Sequence, residues 1–154
     1  AECAFYLGGG DTIELARKLE NTPLLASVLD GAFVYGGSAG AIFLGKTLRA
    51  CPEGIRVFNI QGLGLLGDLS VTCHFRSNEC GLTDEVLSQL SKEIGTVLAL
   101  TEGSGVVIDS KKIIIESKGT KNIYLITGAS IVEVRKDNSS TGIGIVGELR
   151  RARQ

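Results

Sequence analysis

The chain has 154 residues, of which 44% are hydrophobic and 21% charged, and its formal net charge is −1. This composition predicts a single globular domain over residues 1–154, with enough apolar residues to bury a core. The near-zero charge excludes a global attraction to nucleic acid or to an anionic membrane, and no apolar run is long enough to span a bilayer.

The first third of the chain alternates apolar runs with glycine turns. Its predicted elements are a strand at 3–7, a helix at 13–20, a short helix at 23–29, a strand at 31–35 and a helix at 39–48. The turn Gly8-Gly9-Gly10, called the glycine turn below, ends the first strand, and Asp11 or Thr12 caps the helix after it. Ser38 therefore lies where a strand turns sharply into a helix.

The remainder of the chain begins with a glycine-punctuated, irregular segment at 55–67. Its predicted elements are a buried strand at 69–75, an amphipathic helix at 83–94, a strand at 97–101, and short strands at 106–109, 113–116, 123–126 and 131–134. Thr83 is the predicted N-cap of the helix. The last four strands are typical of β-hairpins, so the order predicts an α/β domain with a mostly parallel sheet and hairpins toward its C-terminus.

The stretch VYGGSAGAIFLGKT, residues 34–47, satisfies two motifs that share Gly40. One is G-x-S-x-G, the turn that presents Ser38 as a nucleophile. The other is the phosphate-binding G-x-x-x-x-G-K-[ST], which would use Lys46 and Thr47, with Asp109 as a strand-borne magnesium ligand. The variable positions of this P-loop are Ala-Ile-Phe-Leu, which suit the buried face of a helix better than a polyphosphate, so the serine motif is favoured.

A serine nucleophile needs a base, and the chain contains one histidine, His74, at the end of the predicted strand 69–75. Glu102 follows the next predicted strand in the same manner. Since parallel strands bring their C-terminal ends to one edge of a sheet, Ser38, His74 and Glu102 are predicted to meet there. The N–H group of Ala39, at the start of a helix, is a candidate donor to an oxyanion.

The four cysteines show no paired C-x-x-C spacing, which indicates reduced thiols in a cytoplasmic protein. The N-terminus also lacks the basic flank and long apolar run of a signal peptide. Cys73 and His74 with Cys80 have no second ligand pair at a recognisable spacing, so no metal site is predicted.

Five segments resemble, in the same order, the peptidase E family, which contains the aspartyl dipeptidases and to which the cyanophycinases are related. They are FYLGGGDTIELARKLE, VYGGSAGA, GLGLLGDLSVTCHF, LALTEGSGVVID and KNIYLI, and together they extend over residues 5–126. The resemblance implies a three-layer fold like that of the class I glutamine amidotransferases, with helices on both faces of the sheet. It also implies a serine exopeptidase that cleaves short peptides, including those with an N-terminal aspartate, without metal or cofactor.

The same resemblance implies a role for each motif residue. Ser38 would be the nucleophile that forms an acyl-enzyme, His74 the general base and later acid, and Glu102 the carboxylate that orients the imidazole. Oxyanion N–H groups would come from Gly9 or Gly10 together with Ala39. The candidate substrate-binding residues are Asp11 and Arg76.

The sequence departs from this family in two places. Family members have further strands before the glycine turn, so we expect a homo-oligomer, or another chain, to cover the side that these strands would occupy. The aspartyl dipeptidases also carry an arginine shortly after the histidine, whereas residues 78–90 contain none and Arg76 is the nearest guanidinium. Two alternatives stay open: a catalytically silent binding or assembly module, and a nucleotide-binding protein that uses Lys46 and Thr47.

Overall fold

The computed structural model describes residues 4–20, 22–23, 25, 33–57, 60–109, 112–117 and 122–134. The predicted short helix at 23–29 lies mostly outside the described residues. Among the described helices, none is long and apolar enough to cross a membrane.

The first part of the chain forms a parallel strand pair with two helices. Strand β1 (Ala4–Leu7) pairs in parallel with β2 (Phe33–Gly36), and the helices are α1 (Thr12–Leu19) and α2 (Ala39–Leu44). Helix α1 begins where predicted, because the Asp11 carboxylate accepts a hydrogen bond of 2.7 Å from the Glu14 N–H. Asp11 is therefore the N-cap residue, and Thr12 is the first helical residue.

The second part of the chain contains a four-stranded sheet and a separate hairpin. The elements are a 3₁₀ helix (Leu48–Ala50), β3 (Ser70–Thr72), α3 (Asp84–Ile94), β4 (Val97–Leu100), β5 (Ser104–Asp109), β6 (Lys112–Ser117), β7 (Ile123–Thr127) and β8 (Ser130–Val134). The sheet has the order β3-β4-β7-β8, while β5 pairs with β6 alone. Thr83 caps α3 as predicted, with its hydroxyl accepting a hydrogen bond from the Val86 N–H.

The prediction of a mostly parallel sheet is wrong for the described strands, because their pairing is mixed. The pairs β1–β2 and β3–β4 are parallel, whereas β4–β7, β7–β8 and β5–β6 are antiparallel. Only two residues, beginning with Gly128 at φ 58°, separate β7 from β8. A turn of this length joins antiparallel strands, whereas a parallel pair needs a long crossover.

Helix α2 is shorter than the predicted 39–48, because Gly45 leaves the helix to pack against β3. A Cβ atom at Gly45 would lie 3.1 Å from the Val71 amide nitrogen and 3.2 Å from the Leu69 carbonyl oxygen. The chain then continues in an extended conformation, where Thr47 forms an antiparallel bridge with Gln61. The strand predicted at 69–75 is likewise shorter, which leaves His74 in the turn that follows β3.

The two hydrophobic clusters lie on opposite faces of the four-stranded sheet. Successive side chains of a strand point to opposite faces. Along β4, Val97 and Ala99 pack in one cluster with Leu87 of α3, while Leu98 packs in the other with Ile42 of α2. The sheet is therefore covered by helices on both faces, and every residue of α2 is buried.

One face of the β1–β2 pair carries large exposed side chains. Tyr6 is 65%, Phe33 61% and Tyr35 60% exposed, and the two tyrosine rings stack at 5.3 Å between centroids. Apolar surface of this kind is expected where another part of an assembly packs. The homo-oligomer expected from the sequence stays a prediction.

The contact between α2 and β1 leaves no space for a side chain at Gly40. A Cβ atom there would lie 2.0 Å from the Leu7 carbonyl oxygen, so Gly40→Ala is expected to destabilise the protein by about 3 kcal/mol. Urea unfolding measures the loss. Gly8→Ala is the matched control, because the nearest atom to its added Cβ, on the Tyr6 ring, lies 3.8 Å away. Equal unfolding midpoints for the two variants would contradict the close contact.

Candidate active site

Ser38 lies in a strained turn between β2 and α2. Its backbone has φ 49° and ψ −113°, in a region that non-glycine residues rarely adopt. A Cβ atom at Gly36 would lie 2.7 Å from the Gly40 carbonyl oxygen, so the flanking glycines are needed for the turn to close. This is the geometry by which a G-x-S-x-G turn exposes its serine at the end of a strand.

The structure brings Ser38, His74 and Glu102 into one hydrogen-bonded chain. Ser38 Oγ lies 2.9 Å from His74 Nε2, and His74 Nδ1 is in hydrogen-bond contact with Glu102 Oε1. Ser38 and His74 each lie two residues beyond the end of their strands, β2 and β3, as Glu102 does beyond β4. The structure thus places these three residues together at strand ends, and their catalytic roles stay predictions.

The turn that carries His74 is fixed by hydrogen bonds to its own backbone and to β4. His74 has φ 57°, and its carbonyl oxygen accepts hydrogen bonds from the N–H and the hydroxyl of Ser77, at 2.9 and 2.7 Å. The Phe75 N–H donates to the Leu100 carbonyl at 2.9 Å. Because Leu100 ends β4, this bond holds the histidine turn beside the segment that carries Glu102.

A second carboxylate, Glu79, also reaches the His74 imidazole. Its Oε2 lies 3.5 Å from Nδ1, the same nitrogen that contacts Glu102, and its side chain is 75% exposed. Glu79 is not among the site residues predicted from the sequence. The only signal in the sequence was a carboxylate five residues after the histidine, in an irregular loop. The direction of a side chain in such a loop is not defined until the loop is folded.

The glycine turn lies directly against Ser38. A Cβ atom at Gly9 would be 3.5 Å from Ser38 Cβ and 3.9 Å from Ser38 Oγ, and Gly10 lines the cavity beside the serine. The Gly40 N–H donates to the Gly8 carbonyl at 3.0 Å, which ties the glycine turn to the start of α2. Gly9, Gly10 and Ala39 are therefore grouped around Ser38, and the oxyanion role predicted for them stays a prediction.

A cavity of about 170 Å³ opens at Ser38 and His74. Its remaining walls come from the start of α1, from α2, from residues 51–53 and from the segment around the histidine. Two of its side chains, Glu53 and Glu79, are acidic, and none of the described residues that line it is lysine or arginine. The cavity therefore has a negative electrostatic character.

The two candidate substrate-binding residues do not line this cavity. The Asp11 carboxylate caps α1. The Arg76 guanidinium lies 2.8 Å from Asp84 and over the rings of Phe75 and Tyr124, with distances to the centroids of 5.0 and 4.5 Å. The hydrogen bond to Asp84 raises the pKa of Arg76, and it directs the guanidinium toward α3.

The P-loop alternative is not supported by the fold of its residues. The segment that would wrap a phosphate is the buried helix α2. Lys46 lies 3.6 Å from Asp68, and the Thr47 hydroxyl donates to the Ile60 carbonyl at 3.0 Å. These residues have structural partners, and the side chain of Asp109 lies outside the described part of the chain.

Three buried, free cysteines lie beside the site: Cys51, Cys73 and Cys80. Burial raises the pKa of the Cys51 thiol to about 11 and that of Cys73 to about 12. Cys73 Sγ lies 3.5 Å from the Ser38 carbonyl oxygen. Because the thiolate is the reactive form, these two thiols are poor nucleophiles at neutral pH.

The chain matches a known family of peptidases along most of its length. Residues 2–138 match the model of peptidase family S51, and the chain belongs to this family. It is 30% identical, over 142 aligned residues, to proteins named cyanophycinase from Synechococcus elongatus and Thermosynechococcus vestitus. The alignments cover 84% of this chain but 41% of those proteins, so the chain spans well under half the length of these relatives.

The fold is similar to that in the crystal structure of a peptidase from an acI-B1 actinobacterium. The TM-score is 0.62 at 20% sequence identity, with 88% of this chain and 57% of the other chain covered. At this identity the similarity concerns the fold alone.

The raised thiol pKa values predict slow alkylation of the folded protein. At pH 8, iodoacetamide is expected to leave Cys51 and Cys73 unmodified, because both remain protonated and buried. Peptide mass spectrometry measures the modified fraction, and the same protein in urea is the control in which both thiols react. Rapid modification of Cys73 in the folded protein would contradict the burial.

Proposed function

We propose that this chain is a serine peptidase that hydrolyses short peptides through Ser38, His74 and Glu102. The observation that carries the proposal is the continuous contact from Ser38 Oγ through the imidazole of His74 to the Glu102 carboxylate. Membership of peptidase family S51 supports the same reaction class. The strained backbone at Ser38 and His74 is also typical of catalytic turns.

The proposed mechanism follows from the single proton of a neutral imidazole. Nδ1 carries this proton and donates a hydrogen bond to the Glu102 carboxylate, which leaves the lone pair of Nε2 directed at Ser38. Nε2 takes the hydroxyl proton as Ser38 Oγ attacks the peptide carbonyl, and it then gives the proton to the leaving amine. Water, deprotonated by the same nitrogen, hydrolyses the acyl-enzyme and regenerates Ser38.

Each tetrahedral intermediate places a negative charge on the former carbonyl oxygen. We propose that N–H groups of Gly9 or Gly10 and of Ala39 stabilise this charge. Their support is the packing of the glycine turn against Ser38 and the position of Ala39 at the first turn of α2. Fixed backbone donors of this kind contribute strongly to acyl transfer because they need no reorganisation during the reaction.

The size and charge of the cavity support a short substrate without an N-terminal aspartate. Its volume of about 170 Å³ is below the range of roughly 300–1,000 Å³ usual for ligand pockets. An aspartate side chain would need a cationic partner, but the cavity presents Glu53 and Glu79, and Arg76 is paired with Asp84. We therefore propose that peptides with a neutral or basic N-terminal residue are cleaved faster than those with aspartate.

The nucleophile is tested with Ser38→Ala on a panel of dipeptides and aminoacyl anilides after removal of metals. Cleavage by the wild type is expected to fall by about 10³-fold or more in the variant, because the proposed mechanism forms the acyl-enzyme on Ser38 Oγ. A fluorophosphonate probe is expected to label Ser38 in the wild type only. Ser130→Ala, at an exposed serine of β8, is the matched control and should retain both activities. No cleavage by a well-folded wild type would favour a catalytically silent family member instead.

The substrate charge preference is tested by comparing kcat/KM for dipeptides with aspartate, alanine or lysine at the N-terminus. The aspartyl peptide is expected to be the poorest, since like charges repel. Glu53→Gln is expected to raise the ratio of aspartyl to alanyl kcat/KM by about two- to fivefold, a modest change because Glu53 is exposed. The matched control is Glu85→Gln on α3, outside the residues that line the cavity. Preference for aspartate in the wild type would overturn this assignment.

A further inference from the structure

Two carboxylates converge on one nitrogen of the His74 imidazole, although that nitrogen has at most one proton to donate. Nδ1 contacts Glu102 Oε1, and Glu79 Oε2 lies 3.5 Å from the same atom. The proposed reaction uses Glu102 and assigns no step to Glu79. Within the described part of the chain, no ion pair joins either carboxylate to lysine or arginine. The site therefore presents two carboxylates beside one imidazole nitrogen, a set of donor atoms that can hold a cation.

The three side chains also have the arrangement of a metal site. One ligand atom from each of His74, Glu79 and Glu102 lies within 4.8 Å of the other two. Ligand atoms around a tetrahedral Zn²⁺ ion at about 2.1 Å are roughly 3.4 Å apart, so small side-chain rotations would close the site. Glu79 is exposed and able to make this adjustment.

We propose that Zn²⁺ binds between His74 Nδ1, Glu79 and Glu102, and that the bound ion inhibits the peptidase. The imidazole nitrogen selects Zn²⁺ over Mg²⁺ and Ca²⁺, which prefer ligand sets made of oxygen. Three protein ligands leave the fourth position to water. The ion differs from a catalytic cofactor, because the proposed peptidase reaction needs a proton on Nδ1. A protonated Nδ1 has no lone pair with which to bind a metal.

Inhibition follows from the position of the imidazole proton, and this step rests on the proposed function. When Zn²⁺ takes the lone pair of Nδ1, the one proton of the neutral imidazole moves through solvent to Nε2. Nε2 then donates a hydrogen bond to Ser38 Oγ and has no lone pair with which to accept the serine proton. Glu102, as a metal ligand, no longer orients the catalytic tautomer. No covalent bond of the protein breaks, so removal of the ion restores the base.

The binding step is tested without any catalytic assay by titrating Zn²⁺ into Ser38→Ala protein in a calorimeter. This variant keeps all three ligands, and one ion per chain is expected to bind. Adding Glu79→Gln, which retains the size of the side chain, is expected to weaken binding by about tenfold or more, and adding His74→Ala should abolish it. Glu53→Gln removes a charge from the same cavity without removing a ligand, so its affinity should stay within about threefold.

Two results of the titration would overturn the proposal. One is the absence of Zn²⁺ binding to the Ser38→Ala protein. The other is an affinity that Glu79→Gln leaves unchanged, since the ion would then lie elsewhere, for example on the thiols. Competition by Mg²⁺ at equal concentration would contradict the assigned selectivity.

The inhibition step is tested on the active protein, with each rate expressed relative to the metal-free rate of the same variant. Zn²⁺ is expected to abolish hydrolysis by the wild type, a chelator should restore it, and Glu79→Gln should need about tenfold more Zn²⁺. Full activity in the zinc-bound wild type would overturn the inhibition. A chain without peptidase activity would contradict the proposed function alone, because the calorimetric result decides the metal site independently.

Discussion

The close approach of α2 to the end of β1 is the constraint on which the site depends. The Gly40 N–H bonds to the Gly8 carbonyl, and the position of a Cβ atom at Gly40 is taken by the Leu7 carbonyl oxygen. This contact brings the glycine turn within van der Waals distance of Ser38. It also fixes the direction in which the chain leaves β2, so Ser38 must adopt its positive φ for the helix to begin. The turn thus holds strain that the packing of the buried α2 maintains.

All four strands that pair in parallel contribute a segment to this site at their C-terminal ends. The glycine turn follows β1, Ser38 follows β2, His74 follows β3 and Glu102 follows β4. The two parallel pairs belong to separate hydrogen-bonded sheets, and α2, which packs against β1, β2 and β3, joins them. The antiparallel strands β7 and β8 extend the sheet on its far side and support β4 from there. The candidate site therefore lies where parallel strands end, as sites do in other α/β proteins.

The electrostatic character of the site has consequences for both substrate and inhibitor. Glu53, Glu79 and Glu102 lie near one imidazole, and Arg76, the nearest guanidinium in the sequence, is held at Asp84 and Tyr124. In the proposed acyl transfer, these carboxylates would stabilise the positive charge that the imidazole gains. The same carboxylates attract cations, so the proposed stabilisation of the transition state and the proposed sensitivity to a divalent metal have one physical origin.

The sequence by itself determined the elements of the site whose geometry is local. The glycines at 36 and 40 select a turn that exposes Ser38. The helix starts are selected by Asp11 and Thr83. Apolar runs that end at polar residues mark the positions of His74 and Glu102. Only the tertiary structure decided the features that depend on residues distant in the chain. The antiparallel pairing of β4 with β7 made the sheet mixed, and the packing of Gly45 on β3 ended α2 early. Folding of the loop after β3 placed Glu79 beside the imidazole. Contacts with Asp84 and Tyr124 direct Arg76 away from the cavity. Backbone turns and caps are set by neighbouring residues, whereas the direction of a long charged side chain is set by whichever partner the folded chain brings near it.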